Sequence, residues 1–138
     1  MTDAVTQANA PEGFTPIISS NPFGAHIGPI FEKIEGDGFV RAIRVSDKHL
    51  NSGGVAHGGV LMTFADIVLG QAMLNATGGG PAVTVRLVSD FIAPAKDGVW
   101  VEGRAEVSRA GKTLIFVSGA LTVEGKTIFT AQGTFKPL

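Results

Sequence analysis

The strongest hydrophobic pattern in the chain is a continuous apolar segment near its middle, GVLMTFADIVLGQAMLNA at residues 59–76. It is rich in Ala, Leu and Met, and a helical projection carries apolar side chains on almost every side. A helix that is apolar all round belongs in the interior of a domain, and this one would span about 27 Å. Gly78, Gly79, Gly80 and Pro81 predict where it ends.

The segments on either side of this helix alternate between apolar and polar residues, which is typical of β-strands. Four strands are predicted after it, at 83–91, 99–108, 113–123 and 127–135. Before it we predict a packed arm at 14–30, a hairpin of strands 31–34 and 39–45, and a loop at 46–57. Because consecutive strands with short connections usually pair, we expect the last four to form an antiparallel meander. One sheet wrapped around one helix is an α+β fold, a single domain at 1–138 with a flexible lead-in at 1–13.

Composition narrows the class of protein. The 138 residues include no cysteine, which excludes disulfides, a thiolate nucleophile and cysteine metal ligands. A formal net charge of −1 argues against a nucleic-acid partner. Only 17% of residues are charged, against about 25% in a typical domain, which favours a compact protein that hides surface in an oligomer. The N-terminal segment does not resemble a secretory signal and 67–85 is too polar to span a membrane, so we expect a cytoplasmic protein.

Several common chemistries are absent from the sequence. The tripeptide Gly111-Lys112-Thr113 resembles the end of a phosphate-binding loop, but Glu106 stands where that motif needs glycine. There is no G-x-S-x-G nucleophile elbow. The histidines at 26, 49 and 57 lack the spacing of metal ligands. We therefore expect no metal and no bound cofactor.

The start of the predicted helix is one candidate for chemistry. It begins with Gly58 and Gly59 after His57, and no Ser, Thr, Asp or Asn stands immediately before it as a cap. Free N–H groups and the positive end of the helix dipole suit an anion or a polarised carbonyl, and glycines let an oxygen approach closely. The alternative is that the glycines only relieve crowding beside a neighbouring strand.

Asp66 is a second candidate, since it is the only charged residue between Gly58 and Ala76. A carboxylate in an apolar setting is a general base or a nucleophile, or else a structural group bonded to the backbone or to Thr63. Gly58 and Asp66 lie about 12 Å apart along one helix, whereas a reacting carbonyl needs both groups within about 3 Å. If both act, a two-fold dimer with antiparallel helices must supply one from each subunit.

With Asn51, His57-Gly58-Gly59 and Asp66 in this order, followed by GPAVTVRLVSDFIAPAKDG and SRAGKTL, the chain resembles hotdog-fold acyl-CoA thioesterases of the phenylacetyl-CoA (PaaI-like) branch. The resemblance covers the chain from about Phe31 to the C-terminus, together with the Asn21-Pro22-Phe23 arm. It implies a hotdog fold, an antiparallel sheet wrapped around one long helix, in a homodimer or a homotetramer. It implies hydrolysis of an acyl-CoA to a carboxylic acid and CoA.

The resemblance also implies residue roles. The Gly58 N–H polarises the thioester carbonyl, and Asp66 of the other subunit is base or nucleophile. Asn51 and His57 support the substrate, and Thr84 stands where relatives often carry a serine that orients water; its added methyl is a departure. The candidates for binding CoA are Gly59, Lys96, Arg109 and Lys112, with Arg86 and Arg104 on strands.

Two other functions stay open at this level. The first is a non-catalytic acyl-CoA-binding or regulatory module, against which the retention of Gly58 and Asp66 argues. The second is an acyl-thioester hydratase, whose Asp–His signature is missing. The acyl group is not determined, because residues that would line its pocket would equally form a core: Leu61, Met62, Phe64, Ile67 and Phe91.

Overall fold

The computed structural model describes residues 9–18 and 21–138 and shows one sheet curled around one long helix. The helices are α1 (Pro22–Ile27) and α2 (Gly58–Thr77), and Asp47–His49 form one 3₁₀ turn. The strands are β1 (Thr15–Pro16), β2 (Phe31–Glu35), β3 (Gly38–Arg44), β4 (Ala82–Phe91), β5 (Trp100–Ala110), β6 (Ile115–Val123) and β7 (Lys126–Pro137). The predicted hotdog architecture, α+β with one long central helix, is confirmed.

Helix α2 forms where the apolar segment predicts it. Gly78 ends it in a left-handed conformation with φ of 79°, which glycine adopts without strain. Phe64 and Val68 are completely buried against the sheet. By length and composition alone α2 would also be able to cross a membrane, but its buried side chains form the centre of the core.

The predicted meander is wrong at one strand. The sheet order is β1-β2-β3-β5-β6-β7-β4, so β4 pairs with β7 and β5 pairs with β3. The connection from β4 to β5 is too long for a tight turn and passes the start of α2, where the Ala56 N–H donates to the Ala95 carbonyl at 2.8 Å. As a result β4 is an edge strand, with its second side unpaired among the described residues.

Glycines on the sheet allow α2 to lie close to it. A Cβ on Gly119 would be 2.7 Å from the Leu69 side chain, and one on Gly103 would be 2.9 Å from Val68. Both distances are shorter than a carbon–carbon contact, so these positions exclude any side chain unless the helix moves away. Part of the high glycine content therefore serves helix–sheet packing.

The N-terminal segment packs on the other face of the sheet. Phe14 and Phe31 lie against Trp100, with ring centroids 5.2 and 5.1 Å from it. The Asn9 carbonyl accepts a hydrogen bond from Arg44 Nη2 at 2.7 Å. Of the predicted lead-in at 1–13, residues 9–13 are mostly exposed and Asn9 is joined to β3 by this hydrogen bond, while residues 1–8 lie outside the described part of the chain.

Candidate active site

The start of α2 carries a side-chain cap that its sequence does not suggest. His57 is the N-cap residue, and its Nδ1 accepts the Gly59 N–H at 2.8 Å. The expectation of an uncapped start is therefore wrong, because the imidazole folds back over the first turn in the way a serine hydroxyl would. The Gly59 N–H is consequently occupied, and the Gly58 N–H remains the candidate donor.

The Gly58 N–H is free in the part of the chain that the structure describes, since no hydrogen bond there uses it. Phe91 of β4 lies beside this residue, and a Cβ on Gly58 would be 3.1 Å from its ring. Crowding by a neighbouring strand is thus real. It accompanies the free N–H group, which stays a candidate donor to an anion or a polarised carbonyl.

Asp66 is half-buried in the third turn of α2 and is held by β4. Thr84 Oγ1 donates to Asp66 Oδ1 at 2.8 Å. Thr63, the partner considered from the sequence, instead donates to the Gly59 carbonyl at 2.8 Å. The carboxylate therefore keeps its second oxygen, Oδ2, outside any hydrogen bond among the described residues, and it is oriented by the threonine that the resemblance places in the site.

The Gly58 N–H and the Asp66 carboxylate are far apart within one chain. Strand β4 runs antiparallel to the start of α2, so Phe91 lies beside Gly58 while Thr84 lies beside Asp66. Eight residues of one straight helix separate the free N–H from the carboxylate, which is about 12 Å. One chain does not bring Gly58 and Asp66 to a common centre.

Asn51 organises the loop that leads into α2. Its Oδ1 accepts the Gly53 N–H at 2.9 Å and the Val55 N–H at 3.3 Å. Its backbone N–H donates to the Val55 carbonyl at 2.8 Å. Asn51 thereby fixes the loop before His57. Its side-chain NH₂ group donates no hydrogen bond to another described residue.

The basic residues predicted to bind CoA lie near two different parts of helix α2. Lys96 is bridged to Val55, close to the start of α2. Arg109 and Lys112 belong to the β5–β6 hairpin, whose Ile115 pairs with Phe135, which in turn pairs with Thr84. Lys96 thus lies near Gly58, whereas Arg109 and Lys112 lie towards the Asp66 end.

Arg104 is engaged elsewhere. It donates to Glu35 at 2.7 Å and to Glu102 at 3.0 Å, and its hydrogen bond holds the pKa of Glu35 below its usual value. These three exposed or half-buried side chains form an ion cluster on the sheet surface. This cluster removes Arg104 from the set that could meet a phosphate.

The apolar residues considered for an acyl pocket separate into two groups. Leu61 and Phe64 are core residues with 3% and 0% of their surface exposed. Ile67, by contrast, lines a cleft of about 480 Å³ that begins at Asp66 and runs along α2 beneath the N-terminal arm. Sequence reasoning missed Arg41 and Gln71 in this cleft, and the only signal for them was a glutamine inside an otherwise apolar helix.

The fold is that of the hotdog thioesterases. Residues 53–129 match the thioesterase superfamily model, and the chain belongs to that superfamily. It is 39% identical over 129 residues to a Pseudomonas aeruginosa protein provisionally named an esterase, covering 92% of this chain and 96% of the relative. It is 35% identical over 91 residues to human acyl-coenzyme A thioesterase 13, covering 66% and 65% of the two chains.

Solved structures agree with this assignment. A variant of the phenylacetic acid degradation protein PaaI from Thermus thermophilus superposes with a TM-score of 0.76 at 29% identity. The match covers 86% of this chain and 100% of that one. The predicted relationship to PaaI-like thioesterases is confirmed at the level of fold and family.

Proposed function

We propose that this protein hydrolyses acyl-CoA thioesters to a carboxylic acid and free CoA. The observation that carries the proposal is the position of the Asp66 carboxylate. Thr84 of β4 orients this carboxylate, and Asp66 lies on the helix that begins with an unused Gly58 N–H. A base and an oxyanion donor are the two groups that thioester hydrolysis requires. The similarity to acyl-coenzyme A thioesterase 13 supports the same substrate class.

The active site is shared between two copies of the chain. Because Gly58 and Asp66 are too far apart in one protomer, the Gly58 N–H works with the partner's carboxylate across a two-fold axis. The free edge of β4 suits such a contact, since it exposes Val83, Val85 and Val88 beside unpaired backbone groups. Antiparallel pairing of two β4 edges would bring the start of one α2 to the Asp66 region of the other.

The chemical steps follow from these positions. Asp66 removes a proton from a water held beside Thr84, and the water oxygen attacks the thioester carbon. The Gly58 N–H stabilises the oxyanion, which collapses and expels CoA as a thiolate that takes up a proton. Alternatively the carboxylate attacks the thioester carbon and the C–S bond breaks, so that CoA leaves as a thiolate that takes up a proton; water then hydrolyses the resulting mixed anhydride. Neither route needs a metal or another cofactor.

The shared site also brings the basic residues together. Lys96 lies at the Gly58 end and Arg109 and Lys112 lie towards the Asp66 end, so a two-fold axis places Lys96 of one protomer near the hairpin of the other. We assign the CoA phosphates to this combined rim. Asn51 and His57 hold the loop and the helix start on which that geometry depends.

The deciding experiment measures CoA release from a panel of acyl-CoAs by the wild type and by Asp66→Ala. We expect turnover by the wild type and a loss of at least about a hundredfold in the variant. Undiminished turnover in Asp66→Ala would exclude the mechanism. Binding of acyl-CoA without turnover of any substrate would instead favour a binding or regulatory module, and light scattering distinguishes a monomer, a dimer and a tetramer.

A further inference from the structure

His49 is a buried polar side chain that the proposed hydrolysis does not use. It lies in the 3₁₀ turn before the loop that leads into α2, and only 4% of its surface is exposed. Among the described residues it is the only polar or charged residue buried to this extent. A polar side chain removed from water is costly unless its hydrogen bonds are formed, so the contacts of this ring indicate its role.

The ring of His49 joins the N-terminal arm to the turn in which it lies. Its Nε2 donates to the Ile27 carbonyl at the end of α1, at 2.6 Å. Its Nδ1 accepts the Ser46 N–H at the start of the turn, at 3.0 Å. Because one nitrogen donates and the other accepts, both bonds suit the neutral ring. The imidazole thus fastens the end of α1 to the 3₁₀ turn.

The main chain of the same residue reaches the start of α2. The His49 carbonyl accepts the His57 N–H at 2.7 Å, and His57 is the N-cap residue of the helix. The next residue of the turn, Leu50, is bridged to Ala56 in antiparallel orientation. The turn and the residue before Gly58 are therefore held together by backbone pairing.

Gly58 follows directly after this anchored residue. The imidazole of His57 accepts the Gly59 N–H at 2.8 Å, and its carbonyl accepts the Val60 N–H at 3.0 Å. The Gly58 N–H lies between these two bonds and is the donor that we assign to the oxyanion. Its position therefore depends on where His57 is held. An oxyanion donor loses most of its effect when it is misplaced by about 1 Å.

We propose that His49 is a positioning residue for the proposed hydrolysis. Its ring clamps α1 to the turn, and its carbonyl thereby holds the Gly58 N–H where the oxyanion forms. This inference rests on the proposed function, because it takes the Gly58 N–H as the oxyanion donor. The expected signature is a loss of kcat at nearly constant KM, since the thioester oxygen accepts this bond fully only when it becomes an oxyanion.

The test measures kcat and KM in three variants that remove the contacts of the ring separately, with the acyl-CoA that the wild type hydrolyses fastest. His49→Gln keeps a donor near the position of Nε2, His49→Asn keeps an acceptor near the position of Nδ1, and His49→Leu keeps neither. We expect His49→Leu to lower kcat by about tenfold to a hundredfold with KM within about twofold. The Gln and Asn variants should each recover part of this loss, and they carry the comparison if His49→Leu does not fold.

Val40→Ala is the matched control for a loss of stability alone. Val40 is completely buried in the cluster with Phe14 and Phe31 on the other face of the sheet, so its truncation destabilises the fold away from His49. Thermal melts establish that both proteins are folded at the assay temperature. Val40→Ala should then keep the wild-type kcat.

Amide hydrogen exchange gives a readout that does not depend on turnover. In His49→Leu the amide hydrogens of His57 and Gly59, both hydrogen-bonded in the structure, should exchange at least about tenfold faster than in Val40→Ala. Wild-type kcat in all three His49 variants, or an equal loss of kcat in Val40→Ala, would overturn the inference while leaving the proposed function intact. If the wild type hydrolyses no acyl-CoA, the proposed function fails, and unchanged exchange at these two amides would separately show that His49 does not hold the start of α2.

Discussion

Thr84 on the edge strand β4 donates its hydroxyl hydrogen to Asp66 on the central helix, at 2.8 Å between oxygens. This contact joins the one carboxylate of the apolar helix to the strand whose free edge faces away from the sheet. It orients one carboxylate oxygen and leaves the other without a hydrogen bond among the described residues. The hydrogen bond thus connects the position of the candidate base to the free edge of the sheet.

Replacement of Thr84 tests whether that orientation matters for catalysis. Thr84→Val removes the hydroxyl with little change in volume, and we expect kcat to fall by about tenfold to a hundredfold. Thr84→Ser keeps the hydroxyl and should retain kcat within about threefold. Steady-state rates with one acyl-CoA and thermal melts of both variants separate this effect from unfolding. Equal kcat values for the Val and Ser variants would show that Thr84 has no part in the reaction.

The edge of β4 offers a test of the shared site. Val85 has 56% of its surface exposed on this edge, and Val85→Lys would place a charge in the proposed contact. We expect light scattering to show dissociation to monomers at micromolar concentration, with loss of hydrolysis in proportion. Ile34→Lys, at a residue 74% exposed on β2, is the matched control and should change neither property. A fully active Val85→Lys monomer would refute a site built from two chains.

The elements of the fold were predictable because each has a local pattern. An all-apolar run, a glycine stop and period-two alternation identify α2 and the strands within a few residues. The pairing of β4 with β7 was not predictable from the sequence. The alternation of apolar and polar residues indicates which face of a strand is buried, but it does not indicate which strands pair with it. The sheet order depends on long-range pairing and on the long β4–β5 connection.

The candidate site divides in the same way. Asp66 stood out as a lone charge in an apolar helix, and Gly58 as a glycine at its start. The His57 cap depends on a side-chain rotamer, and the Arg41–Gln71 contact joins residues that are 30 positions apart in the chain. No spacing rule reveals the Arg41–Gln71 contact, because it exists only after the sheet has wrapped around the helix.

The contact between Gly58 and Phe91 predicts a coupling between two substitutions. Gly58→Ala places a methyl 3.1 Å from the Phe91 ring, and we expect it to lower the free energy of unfolding by about 1–3 kcal/mol. Phe91→Leu is smaller and should relieve the clash. In urea denaturation the double variant should therefore be more stable than the sum of the two single effects. Strict additivity would contradict the crowding seen here.

A second packing prediction concerns the sheet glycines. A Cβ on Gly119 would lie 2.7 Å from both the Arg104 carbonyl oxygen and a Leu69 methyl, and the backbone oxygen cannot move aside. Gly119→Ala should cost about 2–4 kcal/mol of stability. Gly70→Ala on α2 has its nearest neighbour at 3.9 Å, so it should instead stabilise the protein by about 0.5–1 kcal/mol. Urea denaturation should therefore give changes in unfolding free energy of opposite sign for the two variants. That result would confirm that glycine is required where the helix and the sheet approach closely.

His49 predicts a dependence of stability on pH. It is buried, its Nδ1 accepts the Ser46 N–H at 3.0 Å, and its Nε2 donates to the Ile27 carbonyl at 2.6 Å, so both nitrogens suit the neutral ring. Burial lowers the pKa of His49 below its usual 6.5, although the Ile27 carbonyl opposes the shift. The unfolded chain therefore binds this proton more readily than the folded chain. The stability due to neutral His49 is fully present above pH 6.5 and is lost as pH falls below it, by at most about 1.4 kcal/mol per pH unit.

Urea denaturation of the wild type and of His49→Gln between pH 7.5 and 5 isolates this contribution, because every other titrating group is common to both proteins. We expect the wild type to be more stable at pH 7.5 and the difference to shrink as the solution is acidified. The link to function is local: the His49 carbonyl accepts the His57 N–H at 2.7 Å, directly before the start of α2. A stability difference that stays constant with pH would show that His49 is not held neutral in the folded protein.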